Sequence, residues 1–258
     1  MKSLSLYTEN GSFLNKMDPM VKVIYVIAAI FVPAVLGNNY VYGAWIALSI
    51  ILLTAGKIIK KAVPVVGVSG IVLLTIVIIQ GMFYGSNETV ALAIGPAVFY
   101  KEGLMYSLGI VLNVLDILLS ICVMIFTTKP SALIECFVEK GLSPKIGYVI
   151  VSIFQLIPQM SNTMGTITDA QKSRGMEVEG SIWVRIKAFL PLLAPVVMSS
   201  LNDTKERAVA LEVRGFNSNA KKVFLNERVV KSSDKAIEII LILAMVGALV
   251  WRVMTWLG

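Results

Sequence analysis

Apolar positions in this chain fall in long unbroken blocks. Four blocks fill the first half, at about Met20–Leu36, Tyr40–Ala55, Ala62–Tyr84 and Gly103–Thr128, and a fifth runs over about Ala236–Leu257. A bilayer core takes about 20 consecutive apolar residues as a helix, and a helix satisfies its own backbone in lipid. The pattern predicts an all-α, polytopic membrane protein with about five transmembrane helices. Between the fourth and fifth blocks the texture changes. Residues 129–235 hold 15 of the 23 Lys and Arg with ten acids interspersed, and two long runs there begin apolar and end polar. These runs predict two long helices. Ser143 can cap the first, with Pro144 at its first helical position, and Ser181 can cap the second. Pro158, Pro191 and Pro195 fall inside them and favour kinks. The chain thus divides into 1–128, a membrane region with four spans, 129–235, a polar region, and 236–258, a final span.

Basic residues set the expected orientation. Lys16 and Lys22 flank the start of the first block and Lys57, Lys60 and Lys61 follow the second, whereas the turn "GNNY" carries no charge. The positive-inside rule then puts the N-terminus and the whole 129–235 region in the cytoplasm of a multi-pass plasma-membrane protein. Trp251 and Trp256 near the end of the last block suit an interfacial aromatic belt. Segment 85–102, outside the membrane in this scheme, reads as either a re-entrant or an extended piece. The first nineteen residues lack the apolar core of a cleavable signal peptide.

Composition adds exclusions. The chain has 258 residues, 57% apolar and 15% charged, with a mean hydropathy of +0.80; soluble domains run at about 45–50% and about 25%. It has no histidine, which removes the usual general base and the commonest metal ligand. Cys122 and Cys136 read as packing residues, and no metal or other cofactor is expected. The net charge of +7 is the excess expected of cytoplasmic loops and does not call for nucleic acid. Asp116, alone in the fourth block, reads either as part of an ion path or as a helix–helix hydrogen bond. Gly67, Gly70 and Gly81 suit close helix packing, and Glu177 and Glu179 a solvated turn.

The two long runs end alike. "DAQKSRG" closes the first and "VALEVRG" the second, so Ala170, Arg174 and Gly175 recur as Ala210, Arg214 and Gly215. One Arg-Gly is a helix stop, glycine taking the left-handed position and arginine facing the negative end of the dipole. Two copies, each with alanine one turn before the arginine, also fit a pair of docking tips: a small-residue flank and a guanidinium able to fork onto a carboxylate.

"AQKSRG" and "ALEVRG" resemble the paired Ala-x-x-x-Arg-Gly motifs of the CbiQ-like transmembrane T components of energy-coupling factor (ECF) transporters. "LNKMDPMVK", with Leu14, Asp18, Pro19 and Lys22, resembles that family's approach to its first membrane helix. "TTKPSALIECFVEKGLSPKIGYVIVSIFQLIPQM" resembles its passage into the first coupling helix. Asn15 stands where many members have histidine, and Val213 where alanine is common. The resemblance implies an importer of vitamins or transition-metal ions in which the chain catalyses nothing itself. Two cytoplasmic ABC-type ATPases would each take one tip, with Arg174 and Arg214 as anchors. The coupling helices would pass their motion to a small hydrophobic substrate-binding membrane subunit, called S, within the lipid. No Walker-type phosphate loop is present. The alternatives are a conventional ABC permease or secondary carrier with its own substrate site, and, in third place, a membrane enzyme.

Overall fold

A computed structural model of the chain describes residues 11–85, 89–94, 97–176, 181–218 and 231–257. Its described elements run α1 (Phe13–Lys16), α2 (Pro19–Leu36), α3 (Asn39–Ala55), α4 (Ile59–Phe83), β1 (Val90–Ile94), β2 (Ala97–Tyr100), α5 (Lys101–Thr127), α6 (Pro130–Glu139), α7 (Pro144–Ser173), α8 (Ile182–Val213) and α9 (Ser232–Leu257). The all-α polytopic architecture is therefore the one adopted. Helices α2, α4, α5 and α9 are long and apolar enough to cross a membrane, and α3 is a shorter apolar helix. Within segment 85–102 the extended option is taken over Val90–Ile94 and Ala97–Tyr100, where β1 and β2 pair antiparallel, Ile94 opposite Ala97.

The chain forms two compact units. The larger takes in Ser5–Cys136 and Arg228–Gly258. In it α5 packs against α2, α3 and α4, and α9 lies on α2. Asp18 starts α2 by accepting the Met20 N–H at 2.9 Å, with Pro19 at the first helical position, and Gly37 stops it with φ 63°. Val21, Val26, Leu53, Leu119 and Val123 build the core between these helices. Cys122 and Cys136 are both buried free thiols, as packing residues should be. By contrast, only 11% of the most apolar stretch of α4 is covered by protein, and the same holds for α9. Val68, Ile71 and Val72 stand outward on α4, and Trp251 and Trp256 on α9. Such surface is tolerable in hydrocarbon and costly in water.

The closest helix approach is not where the glycines of α4 suggested. A Cβ added to Gly67 or Gly70 would meet nothing within 4 Å, so neither makes a close packing contact with another described helix of this chain. Gly81 does, being tight against Phe99 and Leu104. The decisive residue is Gly103, where a Cβ would sit 2.2 Å from the Gln80 carbonyl oxygen. The start of α5 thus lies directly against the end of α4.

The smaller unit takes in Phe137–Glu227 and contains α7 and α8, of 30 and 32 residues. Pro144 opens α7 and Ser181 precedes α8, but neither Ser143 nor Ser181 makes the side-chain capping bond expected of it. Pro158, Pro191 and Pro195 are accommodated inside helices that continue through them.

Candidate functional site

Both long helices end in the same backbone geometry. At the end of α7, Gly175 takes φ 85° and donates its N–H to Lys172 O at 2.9 Å, while Met176 N–H reaches back to Gln171 O at 3.0 Å. At the end of α8, Gly215 takes φ 70° and donates to Glu212 O at 2.9 Å, while Phe216 N–H reaches Leu211 O at 3.0 Å. Each is a complete Schellman motif, with its 5→2 and 6→1 bonds. A side chain at either glycine would meet no atom within 4 Å, so the left-handed backbone alone asks for glycine. The helix stop is thus performed by glycine and main chain.

The arginine side chains take no part in these bonds. Arg174 and Arg214 are the cap residues themselves, exposed like Ala170 and Ala210 on the turn before, and Gly215 is half-covered. Among the described residues, no hydrogen bond or ion pair engages either guanidinium. Val213 is 84% exposed, so it fills no pocket within its own chain. Glu177 and Glu179 lie outside the described residues.

A polar clasp sets the spacing of the tips. Gln159 of α7 donates through Nε2 to Asp203 Oδ2 of α8 at 2.8 Å, and its Oε1 accepts from Arg207 Nη2 at 2.5 Å. Asp203 and Arg207, one turn apart on α8, therefore hold both ends of one amide. Nearer the start of α7, Tyr148 packs against Phe216 with ring centroids 5.2 Å apart. Going forward along α7 from Tyr148 to Gln159 means going backward along α8, so the two helices are antiparallel there. At about 1.5 Å of rise per residue, Arg174 lies about 22 Å beyond the clasp in one direction and Arg214 about 10 Å beyond it in the other. No proline interrupts either stretch. The tips stand on the order of 30 Å apart, the width of a small domain.

Sequence reasoning missed the clasp. Its trace is the i, i+4 pair Asp203 and Arg207 beside an otherwise apolar stretch, but nothing in the sequence names Gln159 as their partner. In the larger unit, Asp116 is 1% exposed where α5 meets α2 and α3, within electrostatic reach of Tyr25 and Tyr42. Tyr25 and Ser49 hydrogen-bond each other at 2.6 Å. Neither carboxyl oxygen of Asp116 has a hydrogen-bond partner among the described residues, so the helix–helix bond, one of the two readings of this acid, is not made among them. No group of three metal-ligating side chains occurs among the described residues.

Among the described residues, five apolar helices around a shared core, with two long helices between the fourth and fifth in sequence, define a multi-pass membrane protein. The chain belongs to the CbiQ family of cobalt transport proteins, whose family profile matches residues 10–223. It is similar to the energy-coupling factor transporter transmembrane protein EcfT of Staphylococcus aureus, at 27% identity over 231 residues and 84% of each chain. It is also similar to the EcfT of Lactococcus lactis, at 23% identity over 266 residues, 95% of this chain and 96% of that one. A Bifidobacterium longum protein named as an ABC transporter ATP-binding protein is 22% identical over 86% of this chain, which covers 30% of that protein. The family expected from the paired motifs is the family found.

Proposed function

We propose that the chain is the T component of an ECF-type importer. It catalyses nothing itself and couples ATP hydrolysis by two cytoplasmic ABC-type ATPases to movement of a small substrate-binding membrane subunit. The observation that carries this reading is the duplicated tip: two identically capped helix ends, each with an exposed arginine, about 30 Å apart. An exposed guanidinium on a rigid helix end is ready to fork onto a partner's carboxylate, and that spacing lets two separate domains be gripped at once. The likeness of this chain to part of a protein named for ATP binding supports the same partner. In this reading residues 129–235 and the N-terminus face the cytoplasm. The cargo, a vitamin or a transition-metal ion, is chosen by the substrate-binding subunit.

Native mass spectrometry of the tagged chain, purified in mild detergent from its own cells, tests this. The complex expected holds two subunits bearing Walker-type phosphate loops and one small hydrophobic protein. The chain alone in liposomes should take up neither cobalt nor a B vitamin. Uptake by the chain alone overturns the reading in favour of a carrier with its own site.

A further inference from the structure

A second charged cluster is buried where three helix ends of the larger unit meet. Lys22, 3% exposed on α2, donates from Nζ to the Thr127 carbonyl oxygen of α5 at 2.9 Å. Its charge is attracted by Asp18 and Asp234, which are 6% and 2% exposed. The Asp18 N–H donates to Asp234 Oδ2 at 3.2 Å, which ties the start of α2 to the start of α9. Each charge occupies the helix end that favours it. The ammonium sits on a last-turn carbonyl of α5, and the two carboxylates stand at the N-termini of α2 and α9. Burial of three charges is tolerable in this arrangement because each faces an opposite charge or a helix end.

The position of the cluster in the chain matters as much as its chemistry. Thr127 is the last residue of α5, from which the chain leads through α6 into α7 and α8. Asp234 lies in the first turn of α9, where the chain comes back. Lys22 therefore bonds the point at which the segment bearing the arginine tips leaves the membrane bundle, and Asp18, one turn before it, is bonded to the point at which that segment rejoins.

We propose that Lys22, with Asp18 and Asp234, is a positioning latch. It binds the end of α5 and the start of α9 to α2, so that motion arriving from α7 and α8 moves the three membrane helices together. Without it the terminal turns of α5 and α9 would yield and absorb that motion. This inference rests on the coupling role proposed above.

The test uses the complex with its ATPases in lipid nanodiscs, with spin labels at Ser161→Cys on α7 and Ala244→Cys on α9 and with Cys122 and Cys136 replaced by alanine. Because the latch makes α9 follow α7, ATP should change the distance between the labels only slightly. Lys22→Met should keep ATPase capture within twofold and ATP hydrolysis within threefold, and should enlarge the ATP-driven distance change at least threefold, because α7 then moves while α9 lags. Lys22→Arg should keep the change at the parent's value. Asp234→Asn, which keeps an acceptor for the Asp18 N–H and removes a charge, should act like Lys22→Met and serves if that variant does not fold. A distance change no larger than the parent's in either variant overturns the latch. Parallel loss of capture, hydrolysis and movement in both variants also overturns it, because that is the pattern of a residue needed only for folding. If the parent complex captures no ATPase, the coupling role itself fails and the latch falls with it.

Discussion

Reversing the charge at the two tips separates docking from helix stopping. Both arginines are exposed and engage no described residue of their own chain, and Gly175 and Gly215 carry the Schellman bonds through main-chain atoms. Folding should therefore lose only the favourable dipole interaction, about 0.3–1 kcal/mol for each Arg→Glu change. Docking should lose far more. Truncation of a buried arginine anchor costs about 2 kcal/mol or more, about 30-fold in affinity, and a glutamate facing a partner's acid adds repulsion. The tips lie on the order of 30 Å apart on prolineless helix, well beyond the roughly 10 Å within which substitutions couple. Their effects should add, so Arg174→Glu with Arg214→Glu should weaken ATPase binding by about 4 kcal/mol, about a thousandfold. Titration of the purified ATPase pair onto the chain in nanodiscs reads the affinity, and thermal unfolding reads the fold. The reasoning is refuted if the double variant binds within about threefold of the parent, or if its binding falls only as far as its stability.

Three further outcomes follow from the geometry. Gly103→Ala should destabilise the bundle by about 1–3 kcal/mol, because its Cβ would strike the Gln80 carbonyl, a backbone atom that cannot swing aside; Gly67→Ala, with open space around it, should be neutral or mildly stabilising in the same thermal assay. Asp116→Leu should raise thermal stability by about 1–3 kcal/mol, since it replaces a buried carboxyl that has no described partner with an apolar group of similar shape; a loss of stability would reveal a partner for the acid. An impermeant thiol reagent applied outside intact cells should label a single cysteine at Asn39 and spare one at Ser218; strong labelling at Ser218 would reverse the proposed topology.

The spans, the helix ends and the family were legible in the sequence because each is a local property. A block such as 62–84 must be helical in lipid whatever it packs against, and Gly175 or Gly215 after a polar helical run must stop it. The paired Ala-x-x-x-Arg-Gly endings are local too, and so could be read before any contact was known. Pairings across the chain were not legible. Gly67 and Gly70 read as packing glycines by residue type, yet the close approach falls at Gly103, because which turn of α5 meets α4 is decided by how the two helices pack. Ser143 and Ser181 precede helices as capping residues do, but whether a hydroxyl turns onto the first N–H groups depends on its rotamer. The Gln159 clasp joins residues 44 and 48 positions apart, and the Lys22 contact to Thr127 joins residues 105 apart. A polar residue alone on a helix announces that it needs a partner, because burying it unpaired is costly. Only the packed tertiary structure decides which partner it finds, since that choice depends on how distant segments meet.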